Sequence, residues 1–253
     1  MSESTLSTTY TDLMNAVRVF LGYASDDSVN DKEVNLYVQS GMRQFYYPDA
    51  VEGVDPGFEW SFLKPTTTLD TVADTAAYVL PDTLGRVIGC FHFEPNIHIR
   101  PISVVSEAMV LSKQQGSLIA GVPVIACIRH TDSTGASGQR QEAVFWPTPG
   151  AAYTLTYRFE AYANKLSEDN PYPLGGMKHS ELLLESCLAI AEQRANDEAG
   201  VHTEKFHRML ITATKRDLKN GAVYYGNMGQ PDSDGEYLRQ HSSGVITYKG
   251  MTL

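Results

Sequence analysis

The spacing of apolar residues changes period twice along this chain, and that change constrains the fold more than any other feature. Tyr10, Leu13, Met14, Val17, Phe20 and Leu21 recur with the helical period. From about Trp60 to Tyr162 strand-like runs take over, with one helical stretch among them, and after Pro171-Tyr172-Pro173 the helical period returns. A stripe spaced for a helix scatters its side chains over both faces of a strand, so the two patterns belong to different layers. The chain therefore reads as α+β. Its N- and C-terminal helices form one helical domain, an antiparallel β-sandwich or barrel is inserted between them, and an extended tail follows. The expected bounds are 1–58 for a helical hairpin, 59–165 for the β-domain, 166–220 for the completing helices and 221–253 for the tail.

In the hairpin, Thr9 or Thr11 caps the first helix and Gly22 closes it. Val34, Tyr37, Val38, Gly41, Met42 and Phe45 form the second stripe. Asn30 and Glu33 read as its capping box, and Pro48 stops it. In the middle block, 66–71, 76–80, 86–93, 97–102, 122–129, 142–146 and 153–162 read as strands, with a helix over 105–113. Residues 131–138 read as a hairpin tip. Leu183, Leu184, Cys187, Leu188, Ala191 and Ala195 then mark a helix over 177–198. Gly200 separates it from another carrying Phe206, Met209, Leu210, Ala213 and Leu218. Past Asn220-Gly221 no amphipathic period survives, yet Tyr224, Tyr225, Tyr237, Leu238, Ile246 and Tyr248 supply aromatic and β-prone side chains. A segment that cannot fold alone but carries such anchors has the composition of one that folds on a partner.

Charge narrows the function. The formal net charge is −10, and through Trp60 ten acids stand against three bases, Arg18, Lys32 and Arg43. Tight nucleic-acid binding draws on phosphate neutralisation and is disfavoured. No run is apolar enough to span a membrane, and residues 1–5 show no secretion signal, so synthesis in a cytoplasm is expected. The three cysteines, Cys90, Cys127 and Cys187, lie in apolar runs and read as buried small hydrophobes.

Catalytic and metal motifs are missing from the sequence. No G-x-S-x-G, P-loop, G-x-G-x-x-G or H-E-x-x-H occurs. Asp26-x-Ser28-x-Asn30 fails as a calcium loop, because Asp31 stands where glycine is needed and Tyr37 where the bidentate Glu belongs. Cys90, His92 and His98 are the best metal candidates, but a two-residue turn at Pro95-Asn96 points the two histidines to opposite faces. His202 and His207 read as exposed polar residues, and Glu181 and Glu185 as surface charges. No cofactor and no enzymatic activity are expected.

Several runs carry a resemblance. They are Val38-Gln39-Ser40-Gly41-Met42-Arg43-Gln44-Phe45-Tyr46-Tyr47-Pro48, then Trp60-Ser61-Phe62-Leu63, a Thr-rich strand and Tyr78-Val79-Leu80-Pro81-Asp82. Glu181-Leu182-Leu183-Leu184-Glu185 through Ala195, and Phe206 to Leu218, follow near the end. In order and spacing, from Thr9 to Asn220, the chain resembles the head-to-tail adaptors of short-tailed bacteriophages, also called tail tubular protein A or head-completion proteins. In these proteins the W-x-F-L and Y-x-L-P runs open the β-domain.

The resemblance implies a virion neck protein made in the host cytoplasm. It implies a homo-oligomeric ring, dodecameric, beneath the portal, with genomic DNA passing through its channel unbound. Implied partners are the portal protein, a tail nozzle or tubular protein, and fibres. Portal docking would fall to the tail through Tyr224, Tyr225, Tyr237, Ile246 and Tyr248. Two other readings stay open: another neck or tail-completion protein, and a cytosolic β-barrel that binds a small molecule.

Overall fold

A computed structural model describes residues 3–24, 29–48, 54, 57–95, 99–116, 119–132, 138–220, 247–248 and 251–252. The chain divides into two compact units, Met1–Leu218 and Lys219–Leu253. In the second, two short strands, Thr247–Tyr248 and Met251–Thr252, pair antiparallel.

The first unit opens with α1 (Tyr10–Leu21), whose ends follow local rules closely. Thr9 and Asp12 form a reciprocal capping box, and Gly22 takes the left-handed conformation at φ 75° to close the helix. Helix α2 (Asp31–Tyr46) starts after Asn30, but the expected capping box does not form. The Glu33 carboxylate instead accepts hydrogen bonds from the Tyr23 and Tyr37 hydroxyls, and the second is 2.5 Å long. That bond, with burial, pushes the Tyr37 phenol up to about 12.

Helices α4 (Ser180–Asn196) and α5 (Val201–Asn220) complete this layer. Leu13, Met14 and Val17 of α1, Val34, Val38, Met42 and Phe45 of α2, Leu183 and Cys187 of α4, and Phe206 and Leu210 of α5 share one core. Helix α4 is its centre and is buried nearly all round. Glu185, expected at the surface, is only 3% exposed and is held by His202 Nδ1 at 2.9 Å and Lys205 Nζ at 2.5 Å. His202 is accordingly half-buried, with its ring edge-on to Phe20. Two turns on, the buried Glu192 carboxylate accepts hydrogen bonds from the backbone N–H groups of Gly200 and Thr203, both at 3.1 Å. A carboxylate from α4 thus caps the positive end of α5.

Gly41 allows α2 and α4 to cross closely. A Cβ built there would lie 2.6 Å from Cys187 Cα and 2.8 Å from its backbone nitrogen. The Ser186 hydroxyl donates to Gly41 O across the same crossing at 2.8 Å. In an open helix, Gly41→Ala would stabilise by about 0.5–1 kcal/mol. Here the helices must separate, so the expected result is a net loss of about 1–3 kcal/mol, read from the urea midpoint. A midpoint that stayed the same or rose would contradict the close crossing.

The β-block lies between α2 and α4 in sequence. β1 (Thr66–Asp70), β9 (Thr154–Ala161) and β3 (Leu84–Phe93) form one antiparallel sheet in the order β1-β9-β3. β2 (Ala77–Val79), β7 (Gln141–Trp146), β6 (Ile125–His130) and β4 (Ser103–Val104) form a second, in the order β2-β7-β6-β4. Leu155, Tyr157 and Phe159 of β9, Phe91 and Phe93 of β3, and Ala143 and Phe145 of β7 fill one core that both sheets share. A bridge between Phe91 and Ile102 joins the sheets along one side.

The block is not wholly antiparallel, contrary to expectation. β4 runs parallel to β6, and β5 (Ala120–Gly121) runs parallel to β8 (Thr148–Pro149). Helix α3 (Glu107–Gly116) supplies the crossover that a parallel β4–β6 pair requires. The bridge from Phe91 to Ile102 also sets a register two residues away from the one that a tight turn at Pro95-Asn96 implies.

Candidate partner interface

The five tail anchors divide. Tyr224, Tyr225, Tyr237 and Ile246 lie outside the described residues. Tyr248 lies in the strand Thr247–Tyr248, its backbone paired with Met251. Among the described residues a concave surface lies elsewhere, where the helical layer meets the β-block.

The connector between the layers builds that surface. Trp60 and Leu63, expected to open the β-domain, join the helical core instead. The Trp60 ring packs against Phe45, Phe58 and Phe62, and its Nε1–H donates to Phe45 O at 2.9 Å. Asp217 of α5 accepts hydrogen bonds from Ser61 N and Oγ at 2.8 and 2.6 Å, tying the same connector to the last helix. On the sheet side, Arg86 bonds both Glu59 and Glu160, and Lys64 adds a bond to Glu59. Burial works against the Glu59 carboxylate, but these two cations hold it below the usual range. The network is partly exposed, so its role is orientation more than stability.

Around this hinge lie two clefts. One, of about 290 Å³, is lined by Tyr46, Phe62, Phe159, Tyr162, Tyr172 and Leu174. The other, wider and more open at about 780 Å³, runs between α2 and α4 and is lined by Arg43, Gln44, Tyr47, Tyr162, Ile190 and Gln193. Tyr47, 44% exposed, and Tyr162, 51% exposed, meet edge to face at 6.1 Å. A Cβ at Gly85 would lie 2.9 Å from Tyr162 Cζ, so only glycine lets this ring lie on β3. The Tyr46 hydroxyl accepts from Leu174 N at 2.7 Å, which holds the 170–174 loop against the helices. Exposed tyrosines on a rigid base present apolar area and a hydroxyl at small entropic cost, as protein interfaces require.

Side chains with reactive chemistry are quiet. Burial pushes the Cys187 thiol up to about 12, and the Cys127 thiol also rises, so neither is a nucleophile. Cys90 is only half-buried, unlike the other two. Of the metal candidates, His92 is exposed and His98 lies outside the described residues. Among the described residues no group of three His, Cys, Asp or Glu is placed to hold a metal. No helix among them is long and apolar enough to cross a membrane.

His179 is a titratable group set inside the aromatic cluster. Its ring lies 5.0 Å from Trp60, 5.2 Å from Phe62 and 5.8 Å from Phe45. Its buried Nδ1 has no hydrogen-bond partner among the described residues. Burial, helped by Lys178 and opposed by Asp217, holds the imidazole below its usual value. The unfolded chain therefore binds more protons below about pH 6.5, and stability should be lost as the pH falls from there through the folded value. In His179→Phe the difference between urea midpoints at pH 7.5 and pH 5 should shrink. An unchanged difference would place the pH dependence on other groups.

A model of the SU10 adaptor protein family matches residues 8–227, which takes in both layers, the hinge and Tyr224-Tyr225. The chain belongs to that family, a family of phage head-to-tail adaptors and structural components of the virion. No curated protein matches it.

Proposed function

We propose that the chain is the repeating subunit of a ring beneath the portal vertex, dodecameric, which joins capsid to tail and surrounds the path by which DNA leaves. The family match over residues 8–227 carries this reading. In it, 1–58 and 166–220 make the ring body, with Trp60–Leu63 on the helical side. Residues 59–165 project as a β-sandwich or barrel, and 221–253 dock on the portal through Tyr224, Tyr225, Tyr237, Ile246 and Tyr248. The tail nozzle or tubular protein, and fibres, meet the opposite side. Genomic DNA slides through because a chain of net charge −10 offers few cations to hold it.

Two observations support the arrangement. The helical core draws on both ends of the β-block's flanks, which makes a rigid body from which the block can project. The exposed Tyr47 and Tyr162 at the hinge suit burial against another protein. The test is mass by light scattering, alone and after mixing with a portal ring. Growth from a smaller species to about twelve copies on the portal is the expected result. A chain that never assembles, alone or with the portal, overturns the reading and turns attention to the β-block as a ligand-binding domain.

A further inference from the structure

We infer that neighbouring copies in the ring meet head to tail through the two ends of α5. This rests on the ring reading above and names the surface by which it closes. A closed ring uses a heterologous contact, in which one patch of each subunit meets a different patch of the next. One chain must therefore carry both halves, and α5 with the turn before it does.

At the N-terminal end, Asp197, Glu198 and Glu204 are exposed, and Val201 among them is 75% exposed. At the C-terminal end, Lys215 and Arg216 are exposed, and Leu218 beside them is 61% exposed, while Arg208, also exposed, lies one turn past Glu204 in the N-terminal half. None of these six charges forms an ion pair among the described residues, whereas Lys205 between them is already held by Glu181 and Glu185. Glu204, Arg208 and Lys215 share the outward face of the helix, opposite the buried Phe206, Leu210 and Thr214. From Glu204 to Lys215 the rise is about 16 Å. The N-terminal end thus carries an excess of acids around Val201 and the C-terminal end carries bases around Leu218, so the two ends are complementary in net charge.

The helix macrodipole accounts for the signs, since acids favour an N-terminus and bases a C-terminus. It gives no reason to leave Val201 and Leu218 in water. DNA is the other partner that the basic end could meet. A phosphate track along the outward face would then run past the Glu204 carboxylate, which the complementary copy turns to use instead.

A charge exchange in the full chain tests this. Arg208→Glu/Lys215→Glu/Arg216→Glu makes both ends acidic, and Glu198→Lys/Glu204→Lys makes both basic. Each variant, shown by thermal melting to be folded, should need about tenfold more protein to assemble at low salt, by light scattering alone or on a portal ring. Mixed in equal amounts they should assemble like the wild type, with the two alternating around the ring. If the wild type assembles and both variants do so equally well, the α5 contact is wrong and the ring stands. If variants lose assembly but the mixture does not recover, the ends do not meet and the inference is also wrong. Loss of double-stranded DNA retention by the triple variant, with assembly intact, would assign the basic end to nucleic acid. A wild type that never assembles sinks both readings.

Discussion

Trp60→Ala should cost about 3–5 kcal/mol, the range for deleting a buried Trp or Phe side chain. Trp60 is fully buried, with ring centroids of Phe58, Phe45 and Phe62 at 4.9, 5.0 and 5.3 Å. Four aromatic neighbours, counting His179 at 5.0 Å, cannot all move in to fill the space, so a cavity should remain. The indole also serves the backbone. Phe45 O belongs to the last turn of α2, where carbonyls lack a partner within the helix, and Nε1–H supplies one. Trp60→Phe keeps much of the ring contact but strands that carbonyl, and should cost about 1–3 kcal/mol. Domains of this size have only about 5–15 kcal/mol in hand, so the alanine variant stands near the edge of folding. Urea midpoints decide it, and a loss below about 1 kcal/mol for Trp60→Ala would mean that the cluster around it is not the packed centre described above.

The sequence made some of this fold plain because certain signals are local. Thr9, Asp12 and Gly22 state both ends of α1 within their own neighbourhood. Along β9 the buried Leu155, Tyr157, Phe159 and Ala161 alternate with more exposed residues, as a strand with one face on a core must. Helix α4 misled for a physical reason. The stripe of Leu183, Cys187, Leu188 and Ala191 is real, but a central helix is covered on its other sides too. Glu185 and Glu192 then become buried partners of His202, Lys205 and the α5 N-terminus. A carboxylate with such partners has the same sequence signature as one in water.

The parallel pairing of β4 with β6 was equally hidden, since a period of two gives a strand its face and not its neighbour. The Trp60–Leu63 run sits next to strands in sequence, so its allegiance to the helices could only come from packing. Tyr47 and Tyr162 are the clearest omission among surface residues. One ends α2 and the other follows β9, and only topology brings their rings to 6.1 Å. Their available signal was weak: a tyrosine just past the last turn of a helix whose buried face was already complete.

Removing residues 221–253 should abolish attachment to the portal while leaving the body folded. The separation of effects follows from the architecture. Among the described residues the helical core and the core shared by the two sheets lie within the unit Met1–Leu218, so the thermal midpoint of a chain ending at Asn220 should match that of the full chain. Binding is a different matter. Tyrosines are frequent among the few residues that dominate an interface, where each truncation can cost about 2 kcal/mol or more. Loss of Tyr224, Tyr225, Tyr237, Ile246 and Tyr248 together should therefore weaken portal binding by at least about 100-fold, after allowing for the ordering cost that a docking segment incurs. Tyr224→Ala/Tyr225→Ala alone should weaken it about tenfold or more if this pair anchors the start of the segment. Both are measured by co-sedimentation with portal rings across a concentration series. Truncated protein that binds as tightly as the full chain would remove the tail from the portal contact. The exposed tyrosines at the hinge, Tyr47 and Tyr162, would then be the next residues to substitute, because they already have the rigid base and open groove that docking requires.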